Sequence, residues 1–226
     1  MRALSIPTGK SPIDERYRGS EIPSMSSPKQ PEPIAPDKAA AGMALVIIDM
    51  ISCWDFPDAK LLLPGAARIA KPISALKARC QAAGVPVIYA NDNRGRWRSD
   101  FRALIQMALE SGGPGARITE MLRPGPEDYF VLKPSQSGFH GTPLDLLLRH
   151  LDVNRLVITG VSSDQCVLAT LLEARMRCLD PVVPRDCIAT QTSARQRALL
   201  RQLDEVHKVP TLPASRLRLE RTRKAP

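Results

Sequence analysis

Aromatic residues are scarce. Phe, Trp and Tyr make up 4 % of the chain, so aliphatic side chains must fill any core. A surface that stacks nucleic-acid bases on successive rings is equally disfavoured. No two cysteines form a CxxC pair, although there are five (Cys53, Cys80, Cys166, Cys178 and Cys187), which excludes a zinc knuckle and a thioredoxin motif. The longest apolar runs fall far short of the ~20 residues that cross a bilayer, so no membrane role is expected. The opening MRALSIPTGK lacks the apolar stretch of a signal peptide. Free thiols and a cytoplasmic setting are therefore expected. What the chain does have is positive charge. Lys and Arg number 32 against 23 acids, giving +9, and the segment from Arg195 to Pro226 carries +6 of it. Without interleaved aromatics that basic end reads as solvated tail, and a nucleic-acid partner is not expected.

Three regions follow from composition. Residues 1–40 hold seven prolines and little apolar periodicity, and read as a flexible or wrapping arm. Residues 41–213 alternate strand and helix patterns, and residues 214–226 form the basic tail. MALVIID is a nearly unbroken apolar run, as in a strand covered on both faces. The pattern from Ala66 to Ala83 is helical, with Ile69, Ile73, Leu76 and Cys80 on one face, a kink at Pro72 and a left-handed cap at Gly84. VPVIYA is a second strand. A helix capped by Ser99 runs over 100–110, and GGPG after it reads as loop. YFVLK is a third strand. Thr142 then caps a helix with Pro143 at its first position and Leu144, Leu147, Leu148 and Leu151 inward. RLVITGV is a fourth strand followed by a helix, PVVPRDCIA holds a fifth, and HKVPTL a short sixth after a helix over 194–204. This order predicts an α/β fold: a three-layer α/β/α sandwich around a Rossmann-like parallel sheet of about six strands.

Ligands in such sheets bind at the carboxyl ends of the strands. Asp49 and Lys133 each end an apolar strand there, and Cys166 opens the helix after another. A helix N-terminus stabilises a thiolate and offers N–H groups to an oxyanion. Each residue has a plainer reading: a buried thiol, a turn-capping carboxylate, a lysine snorkelling to the surface. Their coincidence at one sheet edge favours a hydrolytic site. Cys53, Cys80, Cys178 and Cys187 keep the plainer reading.

IIDM, LKPSQSGFHGTPLDLLLR, VITGVSSDQCVLATLLEARMR and VVPRDCIA, in that order, resemble the isochorismatase-like cysteine hydrolases, which include nicotinamidases and N-carbamoylsarcosine amidohydrolases. The resemblance spans about Met43 to Leu203. It implies an Asp-Lys-Cys triad at Asp49, Lys133 and Cys166, with attack on an amide-like carbonyl and a thioester intermediate. It also implies a cis peptide at Val161–Ser162 and an oxyanion site among Val161, Ser162 and Gln165. Metal-dependent nicotinamidases carry histidines after the catalytic Asp and beyond the second strand. The matching stretches here, ISCWDFPDA and NDNRGRWRSD, have none, so no metal and no other cofactor is expected. Retention of Cys166 favours an amidase over the vinyl-ether cleavage of isochorismatases proper.

Trp54, Phe56, Asn93, Trp97, Phe139 and His140 are the candidates for a substrate pocket, and Arg94, Arg96 and Arg98 could attract a carboxylate. The expected activity is metal-independent hydrolysis of a small C–N substrate. The rivals are a non-catalytic binding protein on the same fold and a redox-sensing thiol protein. A homo-oligomer is an expectation from the family alone.

Overall fold

The computed structural model describes residues 42–95, 97–98 and 100–219. The proline-rich segment 1–40 and residues 220–226 lie outside the described residues, as do Arg96 and the expected cap Ser99.

Six parallel strands form one sheet: β1 (Gly42–Ile48), β2 (Val87–Asp92), β3 (Tyr129–Lys133), β4 (Val153–Val161), β5 (Asp180–Val182) and β6 (Ile188–Ala189). Their spatial order is β3-β2-β1-β4-β5, with β6 also paired to β4 beyond β5. Side chains of a strand alternate between faces. Met43, Leu45 and Ile47 accordingly join one core cluster, while Ala44, Val46 and Ile48 join another on the opposite face. The first layer is closed by α1 (Ala59–Ala82), α2 (Phe101–Glu110) and α3 (Gly113–Met121). The second is closed by α4 (Leu144–His150), α5 (Leu168–Met176) and α6 (Ser193–Glu205). This is the expected three-layer sandwich.

Several elements differ from the sequence reading. Helix α1 begins at Ala59 and takes in both Pro64 and Pro72. Its buried stripe of Leu62, Ala66, Ile69, Ile73, Leu76 and Cys80 against the sheet outweighs two lost helical hydrogen bonds. It ends before Gly84, whose φ of 70° matches the expected left-handed cap. The α2 cap is Asp100, whose side chain accepts the Ala103 N–H at 2.8 Å. GGPG is not a loop but the start of α3, with Pro114 in its first turn where no intrahelical N–H is needed. A Cβ on Gly115 would lie 2.4 Å from the Trp54 ring, so the close packing of α3 requires glycine there. Helix α4 starts one residue later than expected, with Pro143 in the cap position. PVVPRDCIA holds two short strands because Val183–Cys187 leaves the ladder between them. HKVPTL forms no strand. Val183, just past β5, donates its N–H to Pro210 O at 3.0 Å, and Pro210 has no N–H to return. Cys178 lies beyond the end of α5 in a left-handed conformation.

At the start of the basic tail, Arg79 on α1 donates to the carbonyls of Ala214 and Leu217, both at 2.7 Å, and Ala214 is buried.

Strand register positions the site. Ile48 lies between Ala90 of β2 and Gly160 of β4, and Asp92 pairs with Lys133. Four strands therefore end at one level. Gly160 makes this possible: at φ 108°, a Cβ would sit 2.1 Å from the Ile48 carbonyl oxygen.

Candidate active site

Asp49 is the first residue after β1. Its N–H donates to Ala90 O at 3.1 Å, and its φ of 53° turns the side chain back over the strand ends. A non-glycine residue in that region is uncommon and points to a local demand. One carboxylate oxygen accepts the Asp92 N–H at 2.8 Å, and the other meets Lys133 Nζ at 2.9 Å. Lys133 is 1 % exposed, and its ammonium also reaches Ser135 O at 3.1 Å and Cys166 Sγ at 3.6 Å. The Asp49 carboxylate acts electrostatically on the Cys166 thiol, with which it shares the cavity wall. Acid, cation and thiol thus form one closed set.

Cys166 rides on a π-helical turn, Ser163–Val167, between β4 and α5. Such insertions recur at functional sites because they displace one side chain from the regular helical path. The turn is anchored on both sides. Val167 N–H donates to Ser162 O at 3.2 Å, and Thr170 Oγ1 donates to Cys166 O at 2.7 Å while accepting the Gly138 N–H. The Val161–Ser162 peptide before it is cis. Asp164 braces this peptide: Ser162 and Thr190 hydroxyls donate to one oxygen, and the Arg195 guanidinium holds the other. Burial opposes its charge, but these three donors outweigh burial and hold the Asp164 carboxyl below its usual range.

Electrostatics assigns proton positions. Burial raises the Asp49 carboxyl above its ordinary value despite Lys133, which makes it the more basic carboxylate. Burial works against the Lys133 charge, but Asp49 and Cys166 outweigh it and keep the ammonium protonated. Burial, and next the Asp49 charge, push the Cys166 thiol up to about 12. The helix start alone would favour a thiolate. Desolvation exceeds the turn's positive end and favours the thiol form of Cys166.

Asp49 and Cys166 face a cavity of about 560 Å³, a size suited to a small ligand, with Lys133 buried behind them. Asp49 and Cys166 line it together with Val161, Ser162 and Gln165. Ile51, Leu62 and Leu104 form apolar wall, and Asn91, Asp92 and Gln191 add polar groups. Arg94 and Asp55 pair at its edge. Among the described residues, no group of three or more His, Cys, Asp or Glu is placed to hold a metal ion.

A family model described as the isochorismatase domain matches residues 43–212. The chain belongs to the isochorismatase family. YaaI of Bacillus subtilis (strain 168), an uncharacterized isochorismatase family protein, is 32 % identical over 166 residues, 74 % of this chain and 91 % of that protein. The ureidoacrylate amidohydrolase RutB of Methylorubrum extorquens (strain DSM 6343 / CIP 106787 / DM4) is 28 % identical over 185 residues, 66 % of this chain and 70 % of RutB. A crystal structure of a cysteine hydrolase from Pseudomonas syringae pv. phaseolicola 1448A covers 84 % of this chain and 95 % of its own at TM-score 0.61 and 25 % identity. The parallel sheet flanked by helices is thus the fold of isochorismatase-family structures.

Within this isochorismatase domain, the pocket candidates chosen from sequence scatter. Phe56 lines the cavity and is 42 % exposed. Trp54 turns the other way, into the core beneath α3, with its indole N–H unpartnered. Asn93 is buried outside the cavity lining; its N–H donates to Lys133 O at 3.0 Å and its side chain accepts the Gly95 N–H. Trp97 is 83 % exposed and away from the cavity. Phe139 packs in the opposite core layer under the Arg177 guanidinium, and His140 is exposed; neither lines the cavity. The cavity instead uses Asn91 and Asp92, the polar end of β2, and Gln191 just after β6. A polar pair closing an apolar strand was the available signal for the first two. Gln191 had none, because a two-residue strand leaves no pattern.

Proposed function

We propose that this isochorismatase-family chain is a metal-independent cysteine hydrolase that cleaves a C–N bond in a small amide or carbamoyl compound. The carrying observation is the closed contact of Asp49, Lys133 and Cys166 at the end of a ligand-sized cavity. Because the thiol rests protonated, it needs a base. Asp49 lines the cavity with it and has a raised proton affinity, so it takes the thiol proton as Sγ attacks the carbonyl carbon. Lys133 stays charged and stabilises the developing thiolate and the carboxylate. Backbone N–H groups of the turn from Ser162 to Cys166 hold the carbonyl oxygen as it gains negative charge. Asp49 returns the proton to the departing nitrogen, which leaves as ammonia or an amine, and an acyl or carbamoyl thioester remains on Cys166. Asp49 then activates water to hydrolyse it, regenerating the thiol. The RutB relationship supports a ureido or carbamoyl substrate within this class.

The test is an ammonia-release screen over ureido acids, N-carbamoyl amino acids and simple primary amides, with Asp49→Asn as control. Release by the wild type and not by the variant is expected. No release from any member would favour a binding protein on this fold, and equal release by Asp49→Asn would remove its role as base.

A further inference from the structure

On the side of the molecule where α1 meets the start of α6, a second groove of about 660 Å³ is lined by Lys60, Arg68, Arg185 and Arg197. No acidic residue lines it. Among the described residues none of these four cations makes an ion pair or hydrogen bond, whereas eight other Lys and Arg side chains pair with acids. Four like charges around one concavity repel one another, and a bound anion relieves that repulsion. Thr192 and Ser193 at the start of α6 also line the groove, so the positive end of a 13-residue helix adds to its field. The floor is aliphatic. Leu61, Pro64, Ile69 and Ile188 lie between the cations, and Leu61 is 56 % exposed for lack of cover. No aromatic ring lines it, which removes the stacking platform that a nucleobase uses.

We infer that this groove binds a small phosphate ester with an aliphatic body, its phosphate held by Arg68, Arg197, Arg185 and Lys60 and its chain laid on Leu61 and Ile69. Guanidinium forks suit phosphate oxygens, and three of the four cations are arginines. The groove touches the catalytic cavity only through Gln191, which lines both, and it contains none of the proposed catalytic side chains. The assignment therefore stands or falls separately from the hydrolase reading.

The test is isothermal titration of the full chain with hexyl phosphate and with inorganic phosphate at low ionic strength, without any hydrolase substrate. Saturable one-to-one binding is expected, tighter for hexyl phosphate. Arg68→Glu and Arg197→Glu should each weaken it by about tenfold or more, whereas Lys71→Glu, an exposed lysine of α1 outside the groove, should leave it unchanged. No saturable binding would overturn the assignment. So would equal weakening by Lys71→Glu, which would mean general charge attraction. Sedimentation with phosphatidic acid vesicles, without binding of soluble hexyl phosphate, would also overturn it in favour of a lipid headgroup at a membrane surface.

Discussion

Lys133→Met removes a buried cation while nearly preserving side-chain volume, and its consequences can be worked through. Lys133 is 1 % exposed and sits 2.9 Å from Asp49, whose side chain is 18 % exposed. At an effective dielectric of about 20, unit charges at that distance attract by about 6 kcal/mol. Desolvation offsets part of this, and removing one partner of a buried pair typically costs about 3–5 kcal/mol, because the other charge is stranded. Asp49 would then be a buried carboxylate with only the Asp92 N–H as a strong donor. It responds by taking up a proton. Its affinity for protons, already raised by burial, rises further once the lowering influence of Lys133 is gone. The destabilisation should therefore be largest near neutral pH and shrink as pH falls and Asp49 protonates in the folded state. Urea unfolding at several pH values reads this directly. Adding Asp49→Leu to Lys133→Met should recover much of the stability at pH 7 and none of the turnover. A loss below about 1 kcal/mol, or a double variant as unstable as the single one, would refute a buried, mutually dependent pair.

The Asp49 carboxylate raises the Cys166 thiol, so Asp49→Asn should lower that pKa. Iodoacetamide labelling of Cys166 near pH 9 should become faster in the variant even as turnover is lost. Slower labelling would contradict the assigned electrostatics. In the wild type, kcat/KM should fall as pH drops through a carboxyl pKa above the ordinary 3.8, and a limb centred below that value would argue against a raised Asp49. Gly160→Ala drives a Cβ to 2.1 Å from the Ile48 carbonyl, so thermal melts should show a loss above about 3 kcal/mol or no folded protein. Trp54→Ala should cost about 3–5 kcal/mol by emptying a core site while leaving KM nearly unchanged; Phe56→Ala, on the cavity wall, should do the opposite.

The layering and the parallel sheet follow from features that a sequence displays openly. The aliphatic runs of β1 and β4 are covered on both faces, and the 3.6-residue stripe of α1 persists through two prolines. Asp49 and Lys133 were visible because a charge closing an apolar strand has little packing purpose. Other features depend on partners remote in sequence. Helix α3 opens with Gly-Pro-Gly and is stabilised by packing beneath Trp54, a contact no local pattern encodes. Trp54 and Phe56 are two residues apart in an irregular loop, so alternation could not say which faced the cavity. A helix start suggests stabilisation of negative charge at Cys166, whereas the depth of burial that raises the thiol is a property of the whole fold. The unpaired cations of the second groove come from α1, the β5–β6 connection and α6, and only folding brings them together.

The most direct test of the account is the rate of C–N hydrolysis by Cys166→Ala, measured as ammonia release on whichever compound the wild type turns over in the screen. The account predicts a loss of at least about 10⁴-fold with the fold intact by circular dichroism, because no other described nucleophile stands within the Asp49–Lys133 set. A Cys166→Ala variant within tenfold of wild type would contradict it and leave the thiol a bystander in its own cavity.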